Sequence, residues 1–242
     1  MKSLFSRSVL RWIALAGTLA LLALSALLPA TAFAASAEKQ PNCAANNVKC
    51  VTSYGDTLIA IRQQLLHTLN DKVTASLKKN EITSAQASVL QADVATNLNY
   101  LKQYKQKLDA EKSVPSARQD LNDLWTKLRI YAVVLPRDYR ILELDYEINA
   151  EVVMQNISPV IQAGLTYAPT DKQSQLNTLY SDYTKQIADA QPQVQSAQGA
   201  LPALTVDNFN QHQDTFQANK NTADKALQTA STALFKAADD LK

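Results

Sequence analysis

Apolar residues return at steps of three and four over most of the chain after residue 54, and this pattern predicts a protein made of long α-helices. Side chains at such steps lie on one face of a helix. Glycine and proline, which interrupt helices, number only four and eight. We expect an all-α, elongated antiparallel bundle with coiled-coil-like packing. About six helices are predicted, near 54–79, 83–112, 114–135, 137–167, 171–198 and 206–241.

The first and last predicted helices show two kinds of apolar stripe. The stripe of the first helix consists of Leu58, Ile61, Leu65, Leu69, Val73 and Leu77. The stripe of the last helix includes the small residues Ala223, Ala230 and Ala237. Small side chains let another helix approach closely, and that helix belongs either to this chain or to a partner.

Polar residues mark where two of these helices begin. Thr83 and Gln86 have the spacing of a capping box, in which each side chain bonds a backbone amide of the first turn. Thr170 and Gln173 repeat the spacing. We therefore predict that helices start at both places.

The first 34 residues have a different pattern, which predicts a secretory signal peptide. Lys2, Arg7 and Arg11 form a basic head, residues 12–28 are apolar, and residues 32–34 read Ala-Phe-Ala. A basic head, an apolar middle and small residues at the cleavage site are typical of export signals. The alternative is a retained membrane helix, because the apolar stretch is nearly long enough to span a bilayer.

The charge balance depends on this leader. The formal net charge is +2, and removal of a leader with three basic residues and no acid leaves 208 residues with a charge of −1. A nucleic-acid-binding protein usually carries a basic patch or stripe. We therefore expect no nucleic-acid partner, and a membrane association only through an uncleaved signal.

Two cysteines agree with export. Cys43 and Cys50 lie near the start of the mature chain, and an oxidising compartment favours a disulfide between them. A redox centre is not expected, because the spacing is not Cys-x-x-Cys. The predicted organisation is a signal peptide at 1–34, a flexible segment with the disulfide loop at 35–53, and one helical bundle domain at 54–242.

An uncharged stretch, Ile130–Pro136, lies between Arg129 and Arg137 in the middle of the chain. It is too short to span a bilayer, and an apolar surface all round a helix indicates burial. Pro136 interrupts the helix, so we expect a kink or a restart there. The main interpretation is a packed core. The alternative is a ligand or interaction pocket at the kink, with Arg129, Tyr131, Arg137 and Tyr139 as its lining.

No residue pattern in the chain indicates a catalytic, metal or cofactor site. Glu143, Glu147 and Glu151 share one helix face, but they lack the histidines that di-iron bundles add to such glutamates, so a solvated face is the interpretation. His67 and His212 stand apart on largely polar faces. Nucleophile elbows and phosphate-binding loops are absent from the sequence. We expect a protein that is not an enzyme and that binds no cofactor.

Several short motifs of the chain are shared with known proteins, namely Ala117-Arg118, Arg129–Arg137, Leu204-Thr205, Asp207 and Phe209. In these motifs the chain resembles a group of uncharacterised secreted helical proteins of Gram-positive-type bacteria, which have no established activity. The segment Ile82–Gln86 is similar to the L-T-x-x-Q signature of the periplasmic Spy-type chaperones, which is a weaker likeness. These resemblances imply a secreted or otherwise extracytoplasmic helical protein.

The function expected from the sequence is contact with another protein or with the cell envelope. A chaperone or a ligand-holding bundle is the alternative. The sequence names neither the partner nor the oligomeric state.

Overall fold

The computed structural model describes residues 42–44 and 46–241, and these residues form helices and no strand. The all-α prediction is confirmed. The predicted signal peptide lies outside the described residues. The helices are α1 Val48–Lys78, α2 Ser84–Asp109, α3 Val114–Asp123, α4 Leu135–Leu165, α5 Thr170–Ala200, α6 Val206–Gln211 and α7 Gln213–Asp239. Within this part of the chain, no helix has both the length and the apolar character needed to cross a membrane.

The first helix begins earlier than predicted. The side-chain oxygen of Asn47 accepts a hydrogen bond from the amide of Cys50 at 3.0 Å, so helix α1 starts at Val48. Residues 48–53 therefore belong to α1 and not to a flexible segment. A disulfide joins Cys43 to Cys50, as predicted, and ties the preceding residues to the first turn of α1.

The two predicted capping boxes have different outcomes. The hydroxyl of Thr83 accepts from the amide of Gln86, and the side chain of Gln86 accepts from the amide of Thr83, so the first capping box is confirmed. At the second place the cap is Pro169, and no side chain bonds the first turn. That prediction was wrong, because Thr170 is already the first helical residue of α5.

The third predicted helix is interrupted. After α3, two five-residue π-helical segments, Leu124–Leu128 and Ile130–Val134, flank Arg129, whose φ of 47° and ψ of 37° place it in the left-handed region. The break expected at Pro136 thus occurs at Arg129. Pro136 lies in the first turn of α4, where its missing amide costs little. We call residues 124–134 the helix break.

The described residues group into two compact units, whereas a single bundle domain was predicted. The larger unit comprises residues 42–142 and 202–219, and the smaller unit comprises residues 143–201 and 220–241. Helices α4, α5 and α7 supply the smaller unit's apolar cluster. The buried members of this cluster are Met154, Tyr183, Ile187, Ala190, Ala233, Leu234, Ala237 and Ala238.

In the larger unit α1 packs against α2 and α3, and the three helices meet closely at Gly55. A Cβ atom added to Gly55 would lie 2.2 Å from Cδ2 of Leu108 and 2.7 Å from Cδ2 of Leu121. Both distances are too short for non-bonded carbon atoms. A larger residue at position 55 would therefore require the side chains of Leu108 and Leu121 to shift.

Candidate functional site

A surface cleft of about 240 Å³ lies beside the helix break in the larger unit. Its lining combines aliphatic side chains, two aromatic rings and two arginines. The lining residues are Arg62, Leu124, Trp125, Arg129, Ile130, Tyr131 and Ala132. None of these seven residues is acidic, so the lining carries positive charge next to apolar surface.

Arg62 is the buried centre of this site. Its side chain comes from α1 and is only 1% exposed. The guanidinium carbon lies 4.5 Å from the ring centroid of Trp125 and 4.5 Å from that of Tyr131. Nη1 also donates a hydrogen bond to the carbonyl of Leu58 at 2.9 Å. A cation held on two ring faces is strongly attracted when water is excluded, so Arg62 orders both rings of the cleft.

Arg62 was missed by the sequence analysis because the predicted stripe of α1 was correct only in part. Leu58, Leu69 and Val73 of that stripe are buried. Ile61 and Leu65 are only partly buried, and Arg62 and Leu66 are buried in their place. Steps of four residues connect Leu58, Arg62 and Leu66. The available signal was therefore a charged residue at a core position of the stripe.

Arg129 is held from the side of α6. Its Nε donates to the side-chain oxygen of Asn210 at 2.9 Å, and Asn210 donates to the carbonyl of Thr126 at 2.8 Å. The guanidinium carbon lies 5.0 Å from the ring centroid of Phe209, and that ring meets Phe216 edge-on at 5.1 Å. These contacts fix a side chain whose backbone is left-handed, a conformation that costs about 1–3 kcal/mol outside glycine.

The structure separates the four residues predicted to line a pocket. Arg129 and Tyr131 lie in the cleft, but Arg137 and Tyr139 do not. Arg137 forms ion pairs with Asp93 of α2 and with Asp138, the latter at 2.8 Å. Arg137 and Tyr139 contact α2 and α1 respectively, because the helix restarts at Leu135.

Tyr139 lies beneath a lysine of α1. Nζ of Lys72 is 5.1 Å from the Tyr139 ring centroid. Burial raises the pKa of the Tyr139 hydroxyl above its usual value. This ring is therefore part of the packing between α1 and α4.

Asp138 is a buried acid in the first turn of α4. It is 0% exposed, and one carboxyl oxygen accepts from Nε of Arg137 at 2.9 Å. The other oxygen is buried and has no hydrogen-bond partner among the described residues. Burial raises the pKa of Asp138 to about 7, although the neighbouring Arg137 acts to lower it. The carboxyl group of Asp138 therefore titrates near neutral pH.

The glutamate stripe of α4 faces inward, so its interpretation as a solvated face was wrong. Glu147 and Glu151 are 5% and 8% exposed, and Glu143 is half-buried. Both carboxyl oxygens of Glu147 are buried without a hydrogen-bond partner in the described part of the chain. Burial, together with the charge of Glu143, raises the pKa of Glu147 to about 9. A carboxyl group that is protonated at neutral pH is compatible with this position, whereas a carboxylate is not.

Glu151 is stabilised differently. Nε2 of Gln155 donates to its carboxyl group at 2.7 Å. Burial raises the pKa of Glu151, and this hydrogen bond opposes the rise. Neighbouring acids on one helix face therefore differ in how they tolerate burial.

The histidines and acids do not assemble into a metal-binding cluster within residues 42–44 and 46–241. His67 and His212 are exposed, as the sequence predicted.

Comparison of the chain with protein-family models, with curated proteins and with solved structures found no match. The cleft geometry is therefore the basis of the functional proposal.

Proposed function

We propose that this chain is an exported, non-enzymatic helical protein that acts by contact with another protein outside the cytoplasm, and that the cleft beside the helix break is its contact site. The observation that carries this proposal is the positively charged, aromatic cleft at an interruption of the helix. π-Helical segments and left-handed residues occur preferentially at functional sites, because a regular α-helix is more stable.

The size of the cleft favours a protein partner over a small ligand. Pockets for drug-sized molecules measure about 300–1,000 Å³, and this cleft measures about 240 Å³. An apolar cavity of about 150 Å³ holds one benzene molecule. The cleft therefore has the size for one side chain, and single anchored side chains carry much of the binding energy in protein interfaces.

Two further observations support the proposal. The disulfide between Cys43 and Cys50 agrees with an oxidising compartment, as does the export pattern of the first 34 residues. The seven residues that line the cleft include no pair of nucleophile and general base. Arginine and aromatic side chains are, in contrast, enriched in protein interfaces.

The proposal is tested by blocking the cleft. Ala132 is exposed and lines the cleft, so Ala132→Trp should fill it without disturbing the core. Ala92→Trp is the matched control, because Ala92 is exposed on α2 and is not part of the lining. The wild type and both variants would be cross-linked in their own cells, affinity-purified and examined by mass spectrometry.

We expect the wild type and Ala92→Trp to capture one or two proteins at near-stoichiometric yield, and Ala132→Trp to lose them. Capture of the same proteins by Ala132→Trp would place the contact elsewhere. A wild type that captures no protein would contradict the proposal. A broad set of unrelated exported proteins would favour the Spy-type chaperone alternative.

A further inference from the structure

Arg129 lines the cleft and forms no ion pair with the other described residues. In the described part of the chain no carboxylate pairs with it, whereas Arg137 contacts two. Arg62 also lines the cleft, but it is almost fully buried between two rings. Arg129 is half-buried and therefore accessible to an anion.

The hydrogen bond to Asn210 leaves the two terminal nitrogens of the Arg129 guanidinium for a ligand. Asn210 accepts from Nε, so this bond does not use the edge that the terminal nitrogens form. Terminal guanidinium nitrogens bind a carboxylate through two parallel hydrogen bonds. The stacking on Phe209 and the bond to Asn210 restrict the side chain before binding, and this restriction reduces the entropy that binding would cost.

The rest of the cleft calls for an apolar group next to that carboxylate. Leu124, Ile130 and Ala132 present aliphatic surface, and Trp125 and Tyr131 present rings. The side chains of aspartate and glutamate supply a carboxylate without a large apolar group. A C-terminal leucine or phenylalanine carries both groups on one Cα atom.

A free amino acid is a poor match to the same site. Its ammonium group would lie next to the positive charge of Arg129, and like charges repel. In a polypeptide this nitrogen is a neutral amide. A chain end can also enter a surface cleft while the remainder of the chain extends into solvent.

We infer that the cleft binds the C-terminal residue of a partner polypeptide, with its apolar side chain between the rings and the aliphatic residues and its carboxylate on Arg129. This inference rests on the proposed function and specifies the chemistry of the partner. Capture of a chain end through its carboxylate is a recurring mode of peptide recognition.

Trp125 provides the signal for a direct binding test. The chain has two tryptophans, so Trp12→Phe leaves Trp125 as the only one in the full chain. The probe is an N-acetylated hexapeptide, Gly-Gly-Ser-Gly-Gly-Phe, with either a free carboxylate or a C-terminal amide. Tryptophan fluorescence would be followed as each peptide is added, at low and at high salt.

We expect the carboxylate peptide to bind at least about tenfold more tightly than the amide, because it forms charge-assisted hydrogen bonds. The difference should shrink at high salt and disappear in Arg129→Gln. Arg118→Gln is the control, because Arg118 is exposed and bonds the carbonyl of Cys43 away from the cleft. Arg129→Lys, which keeps the charge but not the paired donors, should fall between the wild type and Arg129→Gln.

Three results would overturn the inference. Equal binding of the carboxylate and amide peptides would mean that the cleft recognises only the apolar group. If neither peptide binds, a C-terminal phenylalanine is excluded as the ligand. If a peptide ending in leucine also fails to bind, the cleft does not bind a chain end. Tighter binding of N-acetylphenylalanine than of the hexapeptide would identify a small aromatic acid. In each case the cross-linking comparison of Ala132→Trp with Ala92→Trp still decides whether the cleft is a protein contact site.

Discussion

Arg62 in the larger unit and Glu147 in the smaller unit are both almost completely buried, at 1% and 5% exposed, yet their surroundings differ. The guanidinium of Arg62 lies between two aromatic rings and donates to a backbone carbonyl. Neither carboxyl oxygen of Glu147 has a hydrogen-bond partner among the described residues. The same degree of burial is therefore tolerated in two ways.

The difference follows from the chemistry of the two groups. A guanidinium keeps its proton in a protein, so its burial requires partners that interact with the charge. A carboxyl group can take up a proton and become neutral, and burial favours this form by raising the pKa of Glu147. The partners of Arg62 also line a cleft, whereas burial of Glu147 is expected to make the stability of the smaller unit depend on pH.

The largest effect on stability is expected from removal of the Arg62 side chain. Arg62→Ala should lower the free energy of unfolding by about 3–5 kcal/mol, because it leaves a cavity and removes the contacts with Trp125 and Tyr131. Urea denaturation followed by circular dichroism measures this loss. Arg62→Met, which keeps much of the volume, should lose less. A change below about 0.5 kcal/mol in Arg62→Ala, a size usual for surface positions, would show that Arg62 is not buried in solution.

The second-largest effect on stability is expected from Glu147, and it depends on pH. The pKa of Glu147 is about 9 in the folded protein and near 4.5 when the chain is unfolded. Between these values the folded state binds more protons, so the free energy of unfolding falls as pH rises. Relative to pH 4.5, this group should lower the stability of the wild type by about 3 kcal/mol at pH 7.

Glu147→Gln should remove this part of the pH dependence. Urea denaturation of the wild type and the variant from pH 4.5 to 9 measures it. Glu111→Gln, at a half-buried position of the larger unit, is the control that should keep the wild-type slope. Identical slopes in the wild type and Glu147→Gln would mean that Glu147 is solvated.

The third prediction asks whether the larger unit depends on its disulfide as well as on Arg62. The double variant Cys43→Ser, Cys50→Ser opens a loop of about eight residues, and chain entropy gives a loss of about 2.5 kcal/mol. The double variant should remain folded, because the disulfide restrains only the start of α1. Complete unfolding in thermal denaturation would contradict this modest role.

The smallest effect on stability is expected from removal of the Tyr183 hydroxyl, a neutral buried group with a hydrogen-bond partner. Tyr183 is 0% exposed, and its hydroxyl donates to the carbonyl of Met154 at 2.6 Å. Tyr183→Phe should cost about 1 kcal/mol, since one hydrogen bond is lost while the ring remains. A shift in the melting temperature measures it. A loss as large as that of Arg62→Ala would mean that hydrogen bonds, and not charge burial, distinguish the two units.

The helices could be predicted from the sequence because their stripes are long and repeated, but the exact face of α1 could not. Leu65 and Leu66 are adjacent, so the apolar pattern fits two faces that differ by one residue. The rule that charged residues lie outside favours the face without Arg62. The rings that make burial of Arg62 favourable come from the helix break, more than sixty positions later in the chain.

The candidate site was predictable only in part for similar reasons. The uncharged stretch pointed to Arg129 and Tyr131, but no glycine or asparagine signalled the left-handed residue at Arg129. The spacing of Glu143, Glu147 and Glu151 favoured a solvated face because a sequence shows acids as charges. Protonation, which makes burial acceptable, depends on the tertiary surroundings.

The close meeting of α1, α2 and α3 at Gly55 has a consequence for how the chain can vary. Because a methyl group here would meet Cδ2 of Leu108 and Cδ2 of Leu121, a larger residue at position 55 requires both leucine side chains to shift or to become smaller. Smaller residues at positions 108 and 121 should therefore widen the set of amino acids that position 55 accepts.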